Sequence, residues 1–125
     1  MMNTRDVFTV YFIKPVGMDG PIKIGITEKV PERRLKECGS WSPFPLEIIG
    51  SAPGRWEDEQ FLHACLAEHH SHGEWFRAAP MVLAAMNTVI AEQGFVKVRS
   101  HLTPTANIRS KNNRSGRIFN RSYAA

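Results

Sequence analysis

Two short stretches place groups suited to phosphate chemistry within reach of each other. Val7-Phe-Thr-Val-Tyr-Phe-Ile13 is rich in β-branched and aromatic residues, and Ile22-Lys-Ile-Gly-Ile26 alternates with a period of two. Both read as strands, and Gly17-Met-Asp-Gly20 between them supplies the turn of a hairpin. Side chains on a pleated strand alternate between faces. Phe8, Val10 and Phe12 therefore share a face, and pairing them with Ile22, Ile24 and Ile26 makes an apolar set for the core. Thr9, Tyr11 and Ile13 then lie with Lys23, Gly25 and Thr27 on the other face. In that arrangement Tyr11 stands beside Lys23 over the small Gly25, a polar floor with a gap where a phosphate can approach closely. The Lys23 charge would favour the phenolate and lower the Tyr11 pKa, or would bind a phosphate oxygen directly. The plainer alternatives are a half-buried strand tyrosine and a solvated strand lysine.

Further along, Arg33, Arg34 and Lys36 make a basic helix, and an arginine reaching a phosphate from it would stabilise charge developing on phosphorus. Glu57, Asp58 and Glu59 open a later helix, where the helix dipole alone accounts for three acids. His63 follows Glu59 by one turn on the same face. It can support that carboxylate, meet nucleic acid, or be purely structural. His69, His70 and His72 invite a zinc reading. With no cysteine at ligand spacing, and with adjacent side chains diverging on a helix, that reading is weak. Trp75 and Phe76 read as core or lid residues, while Trp41 and Trp56 are candidates for exposed aromatics on which bases stack.

These groups need elements to position them. Pro31 suits the first turn of a helix that runs to Cys38 and stops at Gly39. Pro43 and Pro45 bracket a loop, and residues 46–52 form a third strand ended by Pro53-Gly54. A helix is expected from Trp56 to about His70, a short extended piece over residues 73–76, and a last helix over residues 81–93. Val82, Leu83, Met86, Val89 and Ile90 would be the buried face of that helix. Residues 95–98 suggest one more short strand. Beyond Ser100 the chain has little to bury and is expected to be disordered alone. The order points to an α+β domain, a small three-stranded antiparallel sheet flanked by helices, over residues 1–96. A basic tail follows over residues 97–125.

At 125 residues and 42% hydrophobic content the chain suits one globular domain, which excludes wholesale disorder. No run approaches the ~20 apolar residues of a membrane span, and no signal peptide is evident at the N-terminus. Two cysteines, Cys38 and Cys65, in such a chain are expected to be reduced thiols, so a cytoplasmic location is expected. The net charge of +4 is divided unevenly. Residues 1–96 hold nine cations against all twelve acids, whereas residues 97–125 hold seven cations and no acid. Such a tail can neutralise phosphates with salt-dependent affinity, or simply keep the domain soluble.

Several of these pieces occur in a recognisable order. Thr9-Val-Tyr11 and Lys23-Ile-Gly25 are similar to the paired elements that name the GIY-YIG nuclease superfamily. Glu32-Arg-Arg-Leu35 is similar to that family's first-helix arginine motif, and Glu59-x-x-x-His63 to its metal-binding glutamate followed by a histidine. Lys23-Ile-Gly-Ile-Thr27 and Gly73-Glu-Trp-Phe76 resemble a phage-associated branch often described as a DNA-binding domain. The resemblance spans roughly residues 7–90. It implies a DNA endonuclease in which Glu59 holds one Mg²⁺ (or Mn²⁺) and Arg34, placed directly before Leu35, stabilises the transition state. Tyr11, assisted by Lys23, would orient or deprotonate the nucleophile. Arg33, His63 and the tail residues Arg109, Lys111, Arg114, Arg117 and Arg121 would contact DNA. A domain of this size is expected to cut loosely or to rely on a partner protein for specificity. The rival expectation is a non-catalytic nucleic-acid-binding module of a phage or defence assembly. A third is an adaptor or inhibitor whose tail binds an acidic partner.

Overall fold

Burial of one face of the first hairpin organises the molecule. In the computed structural model, which describes residues 8–28 and 30–104, β1 (Phe8–Pro15) pairs antiparallel with β2 (Ile22–Thr27). Tyr11 lies opposite Gly25 and Ile13 opposite Lys23, so the two faces divide as alternation predicts. β3 (Leu46–Gly54) pairs antiparallel with the other edge of β1, with Tyr11 opposite Ser51 and a register shift between Phe12 and Ile13. Val10, Phe12, Ile22 and Ile24 are fully buried in the main core cluster.

The class is α+β, an antiparallel sheet flanked by helices, but the sheet has five strands instead of three. β4 (His70–His72) and β5 (Trp75–Phe76) form a hairpin around Gly73, whose φ of +57° lies in the left-handed region. β5 extends the sheet from β2, with Trp75 opposite Lys23 and Phe76 opposite Ile22, giving the order β3-β1-β2-β5-β4. Strands of three and two residues are too short to show a period. The polar run His70-Ser-His72 carries no apolar alternation either.

The helices are α1 (Pro31–Gly39), α2 (Trp56–Cys65), α3 (Pro80–Glu92) and α4 (Val96–His101). α2 is shorter than its pattern suggests. Leu66 leaves helical geometry at φ −102°, ψ 16°, and a 3-10 turn over Ala67–His69 feeds β4. The strand expected over residues 95–98 is instead the entry to α4. Phe95 and Val98 are buried and Leu102 packs on the same core, a helical spacing that a strand would split between two faces.

α4 also changes the reading of the charges. Asp58 Oδ2 accepts the Arg55 N–H at 2.9 Å, satisfying a backbone donor at the start of α2. Its Oδ1 accepts from Arg99 Nη2 at 2.9 Å and Nε at 3.1 Å, while the Arg99 guanidinium lies 4.4 Å from the Phe61 ring centre. Lys97 meets Glu92 at 3.8 Å. The first two cations of the basic segment are thus paired with acids that precede it in the chain. The border expected after residue 96 coincides with the first residue of α4. Arg109, Lys111, Arg114, Arg117 and Arg121 lie outside the described residues. Among the described residues, no helix is long and apolar enough to cross a membrane.

Candidate functional site

α2, α3 and α4 contribute to the main core on the Val10–Phe12 face, whereas α1 packs against β3 and β1 on the Tyr11 face and buries none of its own residues fully. Tyr11 beneath it is completely buried. A Cβ added at Gly25 would fall inside the Tyr11 phenol, so the gap expected to admit a phosphate is filled by the tyrosine ring. Burial pushes the Tyr11 pKa up, opposed by a hydrogen bond from Arg34 and reinforced by the Glu74 carboxylate. The expected lowering by Lys23 is therefore reversed, and Tyr11 is a neutral phenol at physiological pH. The Lys23 ammonium is engaged elsewhere. It donates to Glu74 Oε1 at 2.8 Å and lies 5.8 Å from the centre of the Trp75 ring.

On α1 the two arginines separate by face. Arg33 is exposed, while Arg34 turns toward the sheet and donates from Nε to Tyr11 Oη at 3.4 Å, a long contact, and from Nη1 to Glu37 Oε1 at 2.7 Å. Its hydrogen bond to Tyr11, and the one to Glu37, push the guanidinium pKa further up, so it stays charged. Of the two, Arg34 is the one joined to Tyr11.

Glu59 occupies the first turn of α2 and is only 2% exposed. Its Oε1 accepts from Gln60 Nε2 at 3.1 Å. Its Oε2 is the sole buried side-chain polar atom among the described residues that lacks a hydrogen-bond partner. Burial, and then the neighbouring Glu74 carboxylate, push the Glu59 pKa up to about 8. His63, one turn on, has Nε2 2.9 Å from the Ile24 carbonyl oxygen. A carbonyl only accepts, so Nε2 carries the proton and donates. Burial lowers the His63 pKa despite that bond, which keeps the ring neutral. The ring packs edge-on to Phe76 at 4.9 Å and its Nε2 is 3.8 Å from Glu59 Oε2. His63 is thus braced between α2 and β2 and half-buried.

Glu74, quoted from the sequence only within the Gly73-Glu-Trp-Phe76 motif and given no role of its own, joins these groups. Its backbone oxygen accepts the Ile24 N–H at 2.9 Å, which sets it beside β2 just ahead of β5. Its carboxylate pairs with Lys23 and acts electrostatically on both Tyr11 and Glu59. The signal available in the sequence was an acid next to a strand whose partner strand carries Lys23. Glu37 was legible only as the residue three places beyond Arg34. Tyr11, Lys23 and Glu59 thus gather around Glu74, with Arg34 attached through Tyr11. Trp41 and Trp56 are exposed, at 87% and 59%, whereas Phe76 is buried and Trp75 half-buried.

The donor set fits a hard divalent cation. Glu59 offers a carboxylate oxygen with no competing donor, and Glu74 is a second carboxyl within hydrogen-bonding reach of it. Among the described residues no group of three or more His, Cys, Asp or Glu side chains is arranged to hold a metal. A cation held by one or two carboxylates keeps several waters, which is the habit of magnesium.

A family model described as the T5orf172 domain matches residues 9–92, more than half of the chain. No curated protein and no solved structure matches it. The match overturns the resemblance to the GIY-YIG superfamily. The family is a distinct, phage-associated one, related only in the wider sense of phage-associated nuclease-like domains. The departures from the GIY-YIG pattern are consistent with this correction. Thr9 stands for its first glycine and Cys38 for a histidine common one turn after the arginine. Lys23 stands for its second tyrosine and here is the ion-pair partner of Glu74.

Proposed function

This chain belongs to the T5orf172 domain family, and we propose that it engages nucleic acid and hydrolyses a phosphodiester bond at the cluster around Glu59. The family suggests a role connected with nucleic acid, and the observation that carries the finer reading is the buried Glu59 carboxyl with its unmet Oε2. Leaving such a group unsatisfied costs about 1–3 kcal/mol, which a domain that only grips a phosphate backbone has no reason to sustain. When bound, Mg²⁺ or Mn²⁺ would polarise a phosphate oxygen and acidify a water molecule. In this reading Glu59 holds the ion and Arg34 meets the negative charge developing on phosphorus. Tyr11, neutral at physiological pH, orients the attacking water by hydrogen bonding and does not remove its proton. Lys23 takes a non-bridging phosphate oxygen, and His63 keeps α2 in register with β2. DNA is the proposed substrate and the cytoplasm the proposed site of action. Arg33, Arg109, Lys111, Arg114, Arg117 and Arg121 hold the backbone of the duplex through sequence-independent contacts. Sequence preference would come from a partner protein.

The complete burial of Tyr11 favours a second reading, a non-catalytic nucleic-acid-binding module, because a phenol with no exposure has first to be uncovered before it can meet a substrate. A plasmid-nicking assay with Mg²⁺ or Mn²⁺ separates the two. Cleavage by the wild type that is abolished in Glu59→Ala supports the hydrolase. If both proteins are inert yet shift DNA equally well, the binding module is correct. Truncation after Pro104 is expected to weaken DNA binding and flatten its dependence on salt; an unchanged slope removes the basic residues from the interface.

A further inference from the structure

We propose that Glu74 is a second carboxylate ligand for the divalent cation at Glu59, and that Lys23 supplies the balancing charge when the metal is absent. The inference rests on the reading of Glu59 given above and adds Glu74, to which neither the sequence motifs nor the family gave a role. Two carboxyl groups converge here from separate elements, Glu59 from the first turn of α2 and Glu74 from the approach to β5. Neither position is accidental to the fold. Glu59 is carried by a helix tied to β2 through His63, and Glu74 is pinned to β2 by the Ile24 N–H to Glu74 carbonyl bond.

A pair of acids alone is not a site. The second observation is that Glu59 is almost wholly buried and its Oε2 meets no donor. Two acceptor groups brought this close are satisfied by a shared proton or by a cation between them. The Lys23 ammonium, 2.8 Å from Glu74 Oε1 and with a side chain only 12% exposed, offsets one of the two charges. It does not reach the unmet oxygen of Glu59 within hydrogen-bonding distance. The His63 Nε2, 3.8 Å from Glu59 Oε2, is no competitor for the metal, since its proton is committed to the Ile24 carbonyl. With both carboxyls ionised, the Glu59 proton having been displaced by the metal, two carboxylates and one ammonium leave the cluster net negative. A divalent ion makes it net positive, frees Lys23 from Glu74, and leaves that ammonium beside the Trp75 ring to meet a phosphate. Metal and phosphate would therefore be taken up together, with Lys23 changing partners between them.

The test is Mn²⁺ binding to the full chain without nucleic acid, followed by calorimetry or by the loss of the free-ion electron paramagnetic resonance signal. Glu74→Gln is expected to weaken Mn²⁺ binding by at least about tenfold, and Glu74→Asp to recover part of the loss. Lys23→Met is expected to tighten Mn²⁺ binding several-fold while weakening the shift of DNA, a combination that a merely structural lysine does not produce. Wild-type affinity in Glu74→Gln, with binding lost in Glu59→Gln, overturns the role of Glu74 and leaves the reading of Glu59 standing. Weaker Mn²⁺ binding in a folded Lys23→Met overturns the role of Lys23. No binding of Mn²⁺ by the wild type overturns this inference and the metal-dependent reading together, whether or not the protein shifts DNA.

Discussion

Val10, Phe12, Ile22 and Ile24 on one face of the sheet and Tyr11, Ile13, Lys23 and Gly25 on the other alternate along the same two strands, yet they are held in different ways. The first set lies in one apolar cluster with Leu62, Phe76 and Val89. In the second, Tyr11 is joined to α1, a helix with no fully buried residue, and the contacts include polar ones, Arg34 to Tyr11 and Lys23 to Glu74. Apolar burial is non-directional and tolerates many neighbours, whereas hydrogen bonds and ion pairs demand particular partners. The first face is thus held by apolar packing, whereas the second, although Tyr11 and Ile13 on it are equally buried, adds contacts that depend on particular partners.

The strongest way to break this comparison is to remove mass from each face. Phe12→Ala is expected to cost about 3–5 kcal/mol, whereas Leu35→Ala on half-buried α1 is expected to cost about 1 kcal/mol, both read from denaturant unfolding. Equal losses would mean that α1 is as much a part of the core as α3. Gly25→Ala sharpens the comparison from inside the polar face. The added methyl meets the Tyr11 phenol, which is fully buried, so a loss of up to about 3 kcal/mol is expected. A neutral outcome would show that Tyr11 swings out easily, and would place its hydroxyl within reach of solvent.

The smallest effect is a gain, and it depends on pH. Glu59 titrates at about 8 in the folded chain against an ordinary value of 4.5. The stability owed to its neutral form is therefore complete below about 4.5 and lost as pH rises through about 8. Glu59→Gln keeps the shape and removes the ionisation. Without metal, it is expected to be more stable than wild type above pH 8 by on the order of 1 kcal/mol, with the difference closing toward pH 4.5. Thermal unfolding at the two ends of this range is the measurement. A difference that stays constant with pH would show that Glu59 ionises freely in the fold.

The division between the faces was legible before any coordinates, because a period of two in β1 and β2 assigns each residue to a side. Proline and glycine punctuation placed α1 and α3 to within a residue or two of Pro31–Gly39 and Pro80–Glu92. β4 and β5 were not legible as a sheet extension, since their register depends on Trp75 meeting Lys23 across the chain. The same gap hid the partner of Lys23. Its charge was read against Tyr11, two strand positions away, while its actual partner lies 51 residues further on. For Tyr11 the error was one of sign. A sequence displays neighbouring charges but not depth of burial, and here burial outweighs charge. Arg34 was separable from Arg33 only through a family motif, yet the turn of α1 divides them on its own.

Asp58 grips Arg99 of α4 with one carboxylate oxygen and the start of α2 with the other, and it is the residue next to Glu59. The point from which the chain continues toward Arg109 and Lys111 is therefore moored to the helix that carries the buried acid. Anything captured beyond Pro104 becomes a tethered neighbour of that helix, not a free solute. Linkage of this kind makes a second contact intramolecular. Weak, unspecific capture at one end would then suffice to keep the other end occupied.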